Sequence, residues 1–233
     1  MTDIGSRLGF VGPTIDLHGK ALLMANEGTE LIVWLNAGAI EYNNGDIVFP
    51  KEAPNLPSNE EVKRMATEFL TKAGLLPSDA IIQEPVPGAA YSGPVESTTG
   101  EIVSESYVAH LLVRFDRYID GIPVTGTTQL SVRVGNNGEI GRILKVWREL
   151  EPNRQTTIKS PEKALQELKD GKSTHDASVD CERVVLKRIY LAYWMEAASV
   201  EQEYVVPVYV FEGESLSQNG EYLGDFHGYC NAV

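Results

Sequence analysis

At 233 residues with 42% hydrophobic content, the chain is long enough for one large or two small domains with a packed core. Acidic residues number 33 against 20 basic, and the resulting net charge of −13 repels nucleic acid and anionic lipid, which excludes nucleic-acid binding as the main role. No apolar run of the ~18 residues that a spanning helix needs occurs, and the start Met1-Thr2-Asp3-Ile4-Gly5 is not a signal peptide, so no membrane insertion of this chain is expected.

From Thr14 to Phe49 the pattern predicts a β-meander. Ile15 and Leu17, Ala21 to Met24, Leu31 to Leu35 and Ile40 to Tyr42 are separated by the turn signals His18-Gly19, Asn26-Glu27-Gly28 and Asn43-Asn44-Gly45-Asp46. Pro50, Pro54 and Pro57 then break any regular ladder. Ser58-Asn59-Glu60-Glu61 reads as a capping box. It opens a helix in which Val62, Met65, Ala66, Phe69 and Leu70 share one apolar face, and Gly74 with Pro77 ends it. Pro85 to Gly100, rich in Pro, Gly, Ser and Thr and containing Tyr91 and Pro94, predicts a long loop and a candidate contact surface.

Tyr107 to Leu150 predicts three antiparallel strands. Val108, Leu111, Leu112 and Phe115 lead in, Leu130, Val132 and Val134 alternate with Ser131, Arg133 and Gly135, and Asn137-Gly138 is a hairpin signal. After a linker at Glu151-Pro152-Asn153, Ser160-Pro161-Glu162 starts a second helix with proline just inside the cap. Ala164, Leu165 and Leu168 form its apolar face and Gly171 stops it. Strands return over Val184 to Trp194, Tyr204 to Phe211 and Phe226 to Val233, with the polar segment Glu196 to Glu203 as their turn.

The two halves share an order of signals. Ile122-Pro123-Val124 answers Val206-Pro207-Val208, Asn137-Gly138-Glu139 answers Asn219-Gly220-Glu221, and each set follows a Ser-capped helix, which points to an internal duplication. The expected fold class is therefore α+β. It consists of a meander (1–55) followed by two similar units (56–152 and 153–233), each a helix laid on a small antiparallel sheet. Pro123 and Pro207 are expected at a strand start or edge, since proline cannot donate to a central ladder, and an edge is where a partner can add a strand.

Tyr118-Ile119-Asp120-Gly121-Ile122-Pro123-Val124, followed by Leu130-Ser131-Val132-Arg133-Val134 and the turn Asn137-Gly138-Glu139-Ile140, resembles the aromatic-x-x-Gly-Ile-Pro-Val pattern of PepSY-like domains. These include the pro-regions of thermolysin-type peptidases (PepSY/FTP domains) and YycI-like extracytoplasmic regulators. The ending Tyr229-Cys230-Asn231-Ala232-Val233 is similar to the strand that closes some such proteins. The resemblance implies a cystatin-like helix-on-sheet fold and a non-catalytic, extracytoplasmic binding or regulatory role. The implied partner is a peptidase or a membrane sensor, recognised through a sheet edge or loop by residues such as Tyr118, Asp120, Pro123, Tyr91, Pro94 and Pro207. No peptidase domain follows, so a pro-region acting in cis is not expected, and without a transmembrane anchor a YycI-like role is expected only if the chain is anchored through a segment that was removed. A peptidase inhibitor acting in trans, or an enzyme with an acidic cleft between the units, are the alternatives.

No residue set spells out a reaction, and no catalytic, metal or cofactor group is expected. His18, His110, His175 and His227 are scattered and read as turn or surface residues. No nucleophile elbow, P-loop or dinucleotide fingerprint occurs. Asp116 and Asp120 flank Tyr118 at a strand end where aspartate caps turns, and Glu196, Glu201, Glu203, Glu212 and Glu214 read as solvated edges. Cys181 and Cys230 allow either a disulfide in an oxidising compartment or two buried thiols. Trp34, Trp147, Trp194, Tyr190, Tyr193, Tyr204 and Tyr209 fall on predicted strands, either as core or as an aromatic groove.

Overall fold

The structure, a computed structural model, describes residues 2–88, 90–91, 107–127, 129–176 and 181–233. The fold is α+β, dominated by β-sheet with few helices. Helix α1 (Thr2–Arg7) precedes the meander β1 (Ile15–Leu17), β2 (Ala21–Asn26), β3 (Thr29–Trp34) and β4 (Ala39–Asn44), each strand antiparallel to the next. The turn expected over Asn43 to Asp46 is not formed. Both asparagines finish β4, and Gly45 opens a short helix, α2 (Gly45–Val48), because Asn43 is held in a ladder to Arg142, far along the chain.

Helix α3 (Asn59–Ala73) begins at the capping box: the Ser58 N–H donates to the Glu61 carboxylate at 3.0 Å and the Glu61 N–H to the Ser58 hydroxyl at 3.4 Å. Next come β5 (Ala80–Ile82), β6 (Val86–Pro87), β7 (Ala90–Tyr91), β8 (Tyr107–Val108), β9 (Leu111–Ile119), β10 (Ile122–Gly126), β11 (Gln129–Val134) and β12 (Ile140–Val146). After α4 (Pro161–Lys169) the chain forms β13 (Thr174–Asp176), β14 (Arg183–Met195), β15 (Val206–Leu216) and β16 (Tyr222–Asn231). Of the stretch expected to be one long loop, β6 and β7 occupy part, and Pro94 lies outside the described residues.

The elements form two compact units, here called unit 1 (Met1–Arg117, Thr127–Glu149 and Ala197–Glu201) and unit 2 (Tyr118–Gly126, Leu150–Glu196 and Gln202–Val233). In unit 1 the strand order is β1-β2-β3-β4-β12-β11-β9, with β5 and β6 also pairing with β9. Val62, Ala66 and Leu70 of α3 share one buried cluster with Leu31, Val113 and Val132, and along a strand successive residues turn to opposite faces of the sheet. Leu130, Val132 and Val134 face the core, while Ser131 and Arg133 lie on the other face.

In unit 2 the order is β10-β14-β15-β16-β13, with Ala164, Leu165 and Leu168 of α4 packed in a cluster with Tyr209, Phe211 and Phe226. The three antiparallel strands expected over Tyr107 to Leu150 are β9, β11 and β12, and β10 is a further strand between β9 and β11 in the chain. β10 leaves that set after a tight hairpin at Asp120 (φ 50°) and Gly121 (φ 78°) and runs parallel to β14, Val124 to Gly126 opposite Tyr193 to Met195. Pro123 has no N–H to give, and the ladder to β14 starts one residue after it. Gly126 closes that ladder at φ 89°, and a Cβ there would stand 2.4 Å from the Met195 carbonyl oxygen, so only glycine fits.

Candidate functional site

Two features are candidates, one in each unit. The first is an open sheet edge. β14 pairs with β15 from Arg183 to Trp194, but on its other side β10 joins only at Tyr193. From Arg183 to Ala192 that side has no strand partner among the described residues. Such an edge presents unpaired N–H and C=O groups, and Leu186 (37% exposed) and Ile189 (41%) stand beside it. The register shifts between Leu186 and Arg188, which makes Lys187 a bulge residue. Gly213 opposite is required by this bulge, since a Cβ on it would lie 2.4 Å from the Val185 carbonyl oxygen. Lys187 pairs with Glu214 at 3.1 Å and Arg188 with Glu212 at 2.9 Å, while Tyr190 donates its hydroxyl proton to Glu212 at 2.7 Å. Burial first, then the Glu212 hydrogen bond, pushes the Tyr190 phenol up to about 12.

The sequence-predicted contact residues fall in different places. Tyr118, 43% exposed at the end of β9, Asp120 in the hairpin and Pro123 in β10 belong to unit 2. Pro207 is the second residue of β15, a strand paired on both sides, so it sits at a strand start and not on an edge. Tyr91 ends β7, which pairs with β8.

The second feature is a cleft in unit 1. Glu30, Asn43, Arg142 and Arg133 form one row across four strands: Glu30 is opposite Asn43, Asn43 opposite Arg142, and Arg142 opposite Arg133. A cavity of about 220 Å³ opens on this row, walled also by Ile32, Glu41 and Phe49. Arg142 is ion-paired with Glu41, yet its Nε is buried with no hydrogen-bond partner among the described residues. His110, expected in a turn or at the surface, lies in the connection between β8 and β9 and is buried there. Burial first, and the Arg133 charge second, lower its pKa and keep the ring neutral at pH 7. The sequence shows which face each arginine takes, through the alternation along β11, but the pairing of Arg133 with Arg142 depends on strand register and has no local signal.

Elsewhere, several polar side chains have structural partners. Trp147, one residue beyond β12, donates to Asp79 at 3.0 Å, and Asp79 also accepts from Arg117 at 2.8 Å. Trp194 donates to Glu196 at 2.8 Å, and its ring meets Tyr229 edge-on at 4.9 Å. Both cysteines are free thiols. Cys181 is half-buried, and buried Cys230 donates to Glu167 at 3.1 Å, with desolvation first and Glu167 second pushing its thiol up to about 11. Among the described residues no three His, Cys, Asp or Glu side chains gather as a metal site, and no helix is long and apolar enough to cross a membrane.

No protein-family model and no curated protein matches the chain. A solved structure that it resembles is the crystal structure of an uncharacterized protein from Eubacterium rectale ATCC 33656. The match is 12% identical, covers 98% of this chain and 76% of that one, and has a TM-score of 0.55, a likeness of fold alone.

Proposed function

We propose that the chain is a non-catalytic binding or regulatory protein that takes up an extended segment of a protein partner along the free edge of β14. The observation that carries this reading is the side of Arg183–Ala192 away from β15, which has no strand partner among the described residues, with Leu186 and Ile189 exposed beside it. In such recognition, main-chain hydrogen bonds give affinity and alternate side chains give specificity. The bulge at Lys187 supports a foreign partner over a second copy, because a bulge and a charge on an edge hinder pairing between like edges. Arg188 to Ala192 is then the regular part of the edge that a partner strand extends. Tyr118, Asp120 and Pro123, in the same unit, complete the proposed contact surface.

The finer description of the fold belongs to the same proposal. Two similar helix-on-sheet units, duplicated over 56–152 and 153–233 behind a meander, are supported by the matching strand orders β9-β11-β12 and β14-β15-β16, each after a Ser-capped helix. Kinship with PepSY-like domains, an extracytoplasmic setting, and a peptidase or membrane sensor as partner rest on the likeness of Tyr118 to Val124 and the strands after it.

Selection of displayed peptides on the protein tests the edge reading. Selected peptides are expected to lose about tenfold or more in affinity on Ile189→Lys. The variant's own stability should move by no more than about 0.5 kcal/mol, as for an ordinary surface substitution. Peptides that bind Ile189→Lys as tightly as the parent contradict it.

A further inference from the structure

We propose that the cleft on the Glu30, Asn43, Arg142, Arg133 row of unit 1 binds the carboxylate of a small molecule with an apolar body. This goes beyond the sheet-edge reading and stands apart from it. Like charges placed directly opposite on neighbouring strands are destabilising, and Arg133 and Arg142 are such a pair. One carboxylate, Glu41, engages Arg142. Arg142 Nε remains buried without a partner, and no carboxylate among the described residues pairs with Arg133. A part-buried guanidinium without its anion is costly, so the row carries one more cationic head than it neutralises at its centre. Burial first, and Arg142 second, lower the Arg133 pKa, as expected of a cation short of counter-charge.

The occupant's chemistry follows from the walls. A guanidinium matches a carboxylate or a phosphate in two-pronged geometry. Glu41 beside Arg142, and Glu30 exposed at the end of the row, disfavour a second negative charge and select a monoanion. Ile32, Val48 and Phe49 supply an apolar side for its body. The volume of about 220 Å³ is below the usual range for drug-sized ligands, about 300–1,000 Å³, so the ligand is small.

Calorimetric or NMR titration of the whole chain with benzoate, and separately with inorganic phosphate, tests the assignment. Benzoate should bind saturably, and Arg133→Gln should weaken it by about tenfold or more, the loss of one charge-assisted pair, with Arg133→Lys restoring part. Without ligand, Arg133→Gln should melt at the same temperature as the parent or higher, since it removes a repulsion. A purely structural arginine would instead lower it. No saturable benzoate binding, binding that Arg133→Gln leaves unchanged, or saturation by phosphate alone would each overturn the proposal.

Discussion

The two units finish their sheets differently. Unit 1 covers its outer strands with short pieces: β1 lies on β2, and β5 and β6 lie on β9. Unit 2 covers β16 over three residues with β13 and, among the described residues, leaves the side of β14 away from β15 without a strand partner from Arg183 to Ala192. Their cores differ in the same direction. The fifteen-residue α3 contributes to a cluster of seventeen buried side chains among the described residues, whereas the nine-residue α4 contributes to one of six. The larger core goes with outer strands capped by short three- or two-residue pieces, and the smaller unit offers the long edge where another chain can add to the sheet.

The strongest way to break this comparison is through the cores. Phe211 and Leu70 are both fully buried, and truncation to alanine should cost about 3–5 kcal/mol for Phe211 and about 2–5 kcal/mol for Leu70. If the units are distinct in stability, Phe211→Ala lowers an early denaturation transition and Leu70→Ala a later one. A single transition shifted equally by both would show that the two cores melt as one. A smaller effect probes the join between β10 and β14. Gly126→Ala should cost about 1–3 kcal/mol, because it combines a left-handed backbone with a clash against Met195, and a stability unchanged in chemical denaturation would contradict the parallel pairing.

Much of unit 1 was legible in the sequence because its signals are local. Ser58 and Glu61 sit three apart in a capping box, and Leu130, Val132 and Val134 alternate as a half-buried strand must. What was not legible depended on distant partners. Asn43-Asn44-Gly45 has turn chemistry, yet Asn43 is drawn into a ladder with Arg142. Ile122 and Pro123 pair antiparallel with β9 as a local hairpin would, yet Val124 to Gly126 pair in parallel with the distant Tyr193 to Met195. The cleft was illegible for the same reason, since only register brings Arg133 opposite Arg142. The open edge was hidden too, because Tyr190 to Trp194 is apolar on both faces and says nothing of which strands flank it.

The smallest expected effects come from acid. Glu61 is held below its ordinary value of 4.5 first by the Ser58 hydroxyl, and Glu167 below 4.5 first by Lys159. A carboxyl whose folded pKa is depressed stabilises the fold above its unfolded pKa. That contribution is lost as pH falls through the lower folded value, so stability should decline below pH 4.5. In acid titrations followed by thermal melting, Glu61→Gln should flatten the decline in unit 1 and Glu167→Gln that in unit 2. Equal slopes in parent and variants would remove these groups from the account.

The central claim, an edge left open on β14, is tested most directly by residue-resolved amide hydrogen exchange in the free protein. Amides of Leu130 to Val134, on a strand flanked by β12 and β9, should be protected throughout, while those of Arg183 to Ala192 that point away from β15 should exchange rapidly. Uniform protection along Arg183 to Ala192 would mean that the edge is already occupied, and the account would fail.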